Sequence, residues 1–369
     1  MTILKNLTAL APTAIVVCVA VTLAFTALTP GAAQSQESPT AGANATSASM
    51  RGIFTALTTA YAYSLDMEFF EDRHNRDTVL AALQALVNNT EALETHGAGL
   101  DPSFDYLRHS LAEDAYDALE KYQNRQFLGS KFMLNKLVEN CATCHARLPA
   151  DEPFETGAKF LEDADIQSLP PVDRVNIEVA TRQFDRALVT YEEIFQMPKM
   201  TPPGLRLIGA FEGYFKLCIG VVENTERPIR TLETYQSRDD IPQDSRTETA
   251  AWIGALKTLD LAAGTGRELA AARDLIAGAE PVKRPPSDRS RLVEHIAAAS
   301  LLHRYLQNAS TYDTNLAEAF YLLAVAESHI SRSQWISETE FLLEQSIKAA
   351  PESDVAKKAK RILSDWQES

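Results

Sequence analysis

Cys141-Ala142-Thr143-Cys144-His145 is the run whose residue types and spacing carry chemistry in this sequence. Two thiols three positions apart fall on one face of a helix, where each can form a thioether with one vinyl carbon of a porphyrin. The adjacent imidazole then reaches the iron from one side. This is the CxxCH pattern of covalent c-type haem attachment. Cys141 and Cys144 are expected to tether one haem c, with His145 as its proximal axial ligand. A zinc knuckle would want a second Cys or His pair at ligand spacing downstream, and a thioredoxin-like redox pair would want a βαβ setting. The sequence offers neither, which leaves a Cys141–Cys144 disulfide as the alternative to haem.

Lys5 precedes an uncharged apolar run from Ala14 to Leu28, and Thr29-Pro30-Gly31-Ala32-Ala33 follows with small residues where a signal peptidase reads. At about 15 residues the run is shorter than the ~20 that a membrane-spanning helix needs. Residues 1–33 are therefore expected to be a secretory signal peptide, delivering the protein to the periplasm, where bacteria attach haem c. Membrane contact would follow only from an uncleaved signal. Cys18 lies inside the apolar run and reads as a plain hydrophobe, so Cys141, Cys144 and Cys218 remain. An odd number in an exported chain defeats a simple disulfide framework. Cys218 sits in an apolar stretch and is expected to be a buried thiol.

The 369 residues, 45% hydrophobic and 23% charged with 15 Gly and 17 Pro, suffice for two globular domains and argue against a low-complexity or all-β chain. With 35 Lys and Arg against 50 Asp and Glu the net charge is −15, so attraction to a phosphate backbone is missing and nucleic acid is not expected as a partner. The sequence has no Gly-rich phosphate loop, no GxSxG elbow and no carboxylate dyad at hydrolytic spacing. No distal His-Arg pair can be placed for a peroxidase. The chain is not expected to be an enzyme.

Residues 34–47 are small and polar without periodicity, the composition of a flexible leader. From Ala48 the apolar spacing turns helical. Ile53, Ala56, Ala60, Tyr63, Met67 and Phe70 mark a first helix, and Val79, Leu83, Leu86, Thr90 and Leu93 a second. Phe104, Leu107, Leu111, Ala115, Ala118 and Tyr122 mark a third. In the fourth, Phe127, Ser130, Leu134, Leu137, Cys141 and Cys144 share one seam, which turns both thiols inward, and Pro149 is expected to end it. Four amphipathic helices with short connections predict an antiparallel four-helix bundle over residues 48–150. Residues 151–171, acidic and carrying Pro153, Pro170 and Pro171, read as a linker. Residues 172–369 read as helical pairs separated by polar or proline-bearing turns, an α-solenoid of hairpins, so the fold class is all-α. Ala187-x3-Tyr191-x2-Ile194 with Pro198, and Phe320-x2-Leu323-Ala324-x2-Glu327 followed by Leu343 to Pro351, resemble degenerate tetratricopeptide units.

A four-helix bundle with CxxCH at the end of its last helix, here LNKLVENCATCHARLP, resembles the cytochrome c-prime class of c-type cytochromes over about residues 48–150. The resemblance implies haem c inside the bundle, His145 as proximal ligand and a homodimer packed through the first two helices. It also implies a basic residue just after the haem motif, a place that Arg147 fills, although Pro149 stops the helix early. The distal residue of that class comes from the first helix, so Met50, Phe54, Leu57, Tyr61 and Met67 are the candidates. Met67 is the candidate distal ligand on the seam, although a seam methionine also serves as core filler. Met133 lies about 12 Å along the axis from the motif and is rejected. His96 reads as a helix-end cap, His109 as solvated, and His74 as a weaker distal candidate. His295 and His303, eight apart, and His329 read as ordinary surface or core residues.

A helical-hairpin array binds a peptide or another helix without doing chemistry. Joined to a periplasmic haem bundle, it predicts an electron carrier docked to a redox partner protein by its repeats. Two alternatives stand beside this: a gas-binding or sensing haem protein with an open distal site, and a structural or assembly protein of the periplasm.

Overall fold

Helix-period apolar spacing is realised as helix in the computed structural model, which describes residues 39–368 apart from 97–101, 148–154, 164–165, 199, 263–265, 285, 310 and 331–334. The described residues contain helices and no β-strand, so the fold is all-α. The expected signal at 1–33 and the stop at Pro149 lie outside the described residues. None of the described helices is long and apolar enough to cross a membrane.

The first group is α1 (Pro39–Ser64), α2 (Met67–Glu71), α3 (Arg76–His96), α4 (Pro102–Gln123) and α5 (Phe127–His145). Helix α1 begins inside the segment expected to be a flexible leader. Pro39 opens it where a missing N–H costs nothing, and alternate alanines carry the helix forward. A second difference lies at the other end of α1, where one continuous helix to Phe70 was expected. Asp66 instead accepts a hydrogen bond from the Glu68 backbone N–H at 2.9 Å and caps a separate α2. A side-chain oxygen that satisfies a new helix start competes with continuation of the old one.

Helix α1 packs on α3, α3 on α4, α4 on α5, and α5 back on α1. This closed ring of contacts is what four apolar stripes need to cover one another. Leu83, Leu86, Ala115, Tyr122, Leu134 and Leu137 are fully buried along it. Two buried polar groups inside the ring are satisfied by backbone carbonyls: Tyr122 donates to that of Phe70 at 2.9 Å and Ser130 to that of Ala118 at 2.8 Å.

The expected linker is folded. It carries α6 (Glu155–Asp163) and a 3₁₀ turn at Ile166–Ser168, and Leu161 and Ile166 are fully buried in the same core as the first helices. Pro171, counted as a breaker from the sequence, occupies the first turn of α7 (Pro171–Ala180), where proline is favoured. Helix α7 is a shared wall: Ile177 belongs to the core of the first helices, and Val175 and Val179 to the core that follows. Residues Pro39–Ser369 accordingly make one compact unit.

Beyond α7 run α8 (Phe184–Gln196), α9 (Pro202–Leu207), α10 (Ala210–Phe215), a π-helical turn at Lys216–Val221, α11 (Glu226–Gln236), α12 (Gln243–Thr258), α13 (Glu268–Leu275), α14 (Leu292–Asn308), α15 (Thr314–Ile330), α16 (Trp335–Ala349) and α17 (Asp354–Gln367). Successive helices pack on one another from α13 to α17, and α7 pairs with α8 and α11 with α12. The array also touches the first group directly, through α5 on α7 and α4 on α16.

Because Leu161 is fully buried, Leu161→Ala should lower the unfolding free energy by about 2–5 kcal/mol in urea titrations. A linker leucine would leave the midpoint where it was.

Candidate functional site

Cys141, Cys144 and His145 occupy the last turn of α5, which closes with the Ala146 N–H bonded to the Ala142 carbonyl and the Arg147 N–H to the Cys144 carbonyl. All three line one cavity of about 480 Å³, within the size range of small-molecule and cofactor sites. Its opposite wall is α1, which supplies Met50, Phe54, Leu57 and Tyr61. Phe160 of α6 closes another side, with its ring 5.9 Å from that of Phe54 in an edge-to-face arrangement. Ile177 and Ala180 of α7 complete the enclosure. The segment expected to be a linker thus builds part of the chamber.

His145 is held in a form suited to ligation. Burial, reinforced by the nearby Arg182 charge, pushes its pKa down to about 4, so the imidazole is neutral at neutral pH. The α7 backbone at Val179 and Ala180 lies beside the ring, and Nδ1 is buried with no hydrogen-bond partner. A neutral imidazole with a buried, unclaimed nitrogen is able to ligate a metal. Burial, with Cys144 adding to it, pushes the Cys141 thiol up to about 12. Cys141, Cys144 and Cys218 are all thiols, so the Cys141–Cys144 disulfide is not formed in this structure.

The charged lining is one-sided. Arg51, Arg108 and Arg182 line the cavity, and no Asp or Glu does among the described residues. Arg108 is 6% exposed, and its Nε and Nη1 are buried without a hydrogen-bond partner. A seam reading that counts apolar residues passes over it. Its position four after Phe104 and three before Leu111 nonetheless puts it on the inward face of α4.

Of the five distal candidates, Met50, Phe54, Leu57 and Tyr61 line the cavity and Met67 does not. Met67 follows the Asp66 break and sits half-buried in α2, beside the bundle core. The break turns it off the α1 face that the seam spacing assigned it to. Burial pushes the Tyr61 phenol up to about 12, so it keeps its proton. Met133 is buried in the core and does not line the cavity. His74 is exposed, with its Nδ1 2.8 Å from Asp72, and His109 lies on the surface between Glu94 and Glu113. The side chain of His96 lies outside the described residues. His295 is buried and stacks on His329 at 4.4 Å between ring centroids. Cys218 is buried, and that burial raises its pKa to about 12.

Arg147, two residues after His145, is turned away from the chamber into a buried ion cluster with the array. Its Nη2 lies 2.6 Å from Glu338 and 3.5 Å from Glu327. Lys216 lies 3.7 Å from Glu327 on its other side, and the His303 ring approaches the same carboxylate at 3.7 Å. Phe104, which lines the cavity, stands 6.5 Å from His303 between ring centroids. The Cys141–His145 end of α5 is therefore tied to α15 and α16 by charge. Nothing local in the sequence signals an ion pair between residues so far apart.

Comparison with family models, curated proteins and solved structures finds no match for this chain.

Burial alone would raise the Glu327 pKa, but Lys216 and Arg147, with His303, hold it far below the usual carboxylate range. A folded-state pKa below the unfolded value, about 4.3 for Glu, means that this stabilisation is complete above that pH and is lost as pH falls toward the folded value. Urea midpoints of wild type and Glu327→Gln should therefore differ most near neutrality and converge in acid. At neutral pH, Arg147→Met should cost about 3–5 kcal/mol because it leaves buried carboxylates uncompensated.

Proposed function

We propose that the chain is an exported, periplasmic c-type cytochrome with one covalent haem c, acting as an electron carrier that its helical array docks to a redox partner. The observation that carries this reading is the convergence of Cys141, Cys144 and His145 on one apolar chamber. The residues fit the group. The chamber has the volume, the thiols lie one helical turn apart, and the buried Nδ1 of His145 and two buried nitrogens of Arg108 await partners. A haem bound there supplies one-electron exchange at its iron or, where the sixth position stays open, a place for a small gas.

The protein's own residues do the rest. Cys141 and Cys144 would form the thioethers, and His145, kept neutral by burial, would offer a ring nitrogen. Val179 and Ala180 of α7 lie beside that ring. Phe54, Leu57 and Phe160 exclude water, which lowers the local dielectric and so bears on the potential. The resemblance to the cytochrome c-prime class, with a homodimer through the first two bundle helices, and the tetratricopeptide-like character of the array are part of the same proposal.

One observation favours gas binding as the second reading. With Met67 off the cavity, Phe54, Leu57 and Tyr61 dominate the α1 wall, and Met50 is the one thioether on it.

Spectra of the protein made alongside a cytochrome c maturation system test both readings. The proposal predicts c-type bands on reduction. A low-spin spectrum without carbon monoxide uptake supports the carrier, and a high-spin ferrous spectrum that takes it up supports gas binding. Cys144→Ser should weaken covalent retention and His145→Ala should abolish the native coordination. A chain without haem bands, or spectra unchanged in both variants, would defeat the assignment.

A further inference from the structure

In a protein of net charge −15, a chamber lined by three arginines and no described carboxylate is out of keeping with the rest of the surface. Arg51 is exposed at its rim, and Arg182 projects from the turn after α7. Arg108 differs from both because it is 94% withdrawn from solvent and, among the described residues, its one hydrogen bond runs from Nη2 to the exposed Asp105. Its Nε and Nη1 donors remain buried and unpaired. A buried charged donor left unsatisfied is among the costliest arrangements in a folded protein, so an acceptor belongs beside it.

Burial lowers the pKa of the guanidinium, and the nearby Cys144 and Glu94 raise it. Once Cys144 is a thioether it carries no charge, and compensation must come from whatever fills the chamber. Around Arg108 the wall is apolar, with Phe104, Leu107, Leu111 and Val138. The occupant that fits is an apolar body ending in an anion. An ionised carboxylate is acceptor-only and suits an unpaired guanidinium N–H, to which its hydrogen bond is charge-assisted.

We propose that Arg108 anchors a carboxylate inside this cavity, and that the carboxylate is a propionate of the haem. The source of the carboxylate rests on the haem reading above, whereas the anchor itself rests on the buried, unpaired guanidinium. Arg108 is then a positioning residue: it fixes the rotation of the porphyrin in the chamber and holds one propionate ionised.

The experiment compares wild type, Arg108→Gln and Arg108→Lys as full-length haem-loaded chains, with covalent haem first verified by intact mass. Resonance Raman bands of the propionate bending modes and the reduction potential as a function of pH are recorded for each. In Arg108→Gln the propionate bands should shift, the potential should fall, and a new pH-dependent limb should appear near neutrality as the released propionate titrates. Arg108→Lys should restore part of each change. A Soret shift on adding acetate to wild type, lost in Arg108→Gln while the propionate bands stay fixed, would support the anchor and identify a free carboxylate as its partner. Superimposable bands and potential curves with no acetate response would overturn the proposal.

A wild-type mass without haem defeats the haem reading alone. The anchor is then read by thermal shift with octanoate as probe. Saturable stabilisation of wild type that Arg108→Gln abolishes supports it, and equal response or none in the two chains overturns it.

Discussion

Withdrawing polar groups from water into an apolar chamber is tolerable only if each finds a partner, and the end of α5 is where this chain tests that rule most severely. Two thiols, an imidazole and the buried guanidinium of Arg108 border about 480 Å³ of space walled largely by aromatic and aliphatic side chains. The protein satisfies part of their demand itself, through Asp105 for Arg108. What remains unpaired is one imidazole nitrogen and two guanidinium nitrogens. The proposed cofactor meets both demands, by ligation at one end and by its acid groups at the other.

The chamber is not the property of four helices alone. Helix α6 and helix α7 close it, and α7 is simultaneously part of the core on which the array is built. A few residues away the buried Arg147 is locked between Glu338 and Glu327, with Lys216 on the far side. A buried ion cluster gives little net stability compared with an apolar replacement, but it tolerates few alternative arrangements. Here it fixes where the haem-motif turn meets α15 and α16. On the proposed function, the element that docks to a partner and the element that holds the cofactor share walls and charges, which makes the array more than a tethered accessory.

The stripes of α3, α4 and α5 were legible because helical periodicity is a local property: Val79, Leu83, Ala118 and Leu134 fall inward as their spacing requires. So was the inward turn of Cys141 and Cys144, for the same reason. The break between α1 and α2 was not, since Asp66 could be a surface residue of a continuing helix or the cap of a new one, and only packing decides. The same ambiguity misplaced Met67. Prolines at 170 and 171 read as interruption, whereas position at the first turn of α7 makes Pro171 a helix starter. Arg108 was overlooked because burial of a charge depends on what surrounds it in space. The pairing of Arg147 with α15 and α16 is non-local altogether, and no residue pattern announces it.

Haem attachment through two sulfurs is the claim on which the proposed ligand and activity depend. Intact mass spectrometry of the denatured, exported protein measures it directly, because thioethers survive unfolding and coordination bonds do not. The account predicts a single species one haem heavier than the processed polypeptide, and one that loses the addition in a Cys141→Ser, Cys144→Ser chain. A mass equal to bare polypeptide, from cells that mature other c-type cytochromes, would contradict it.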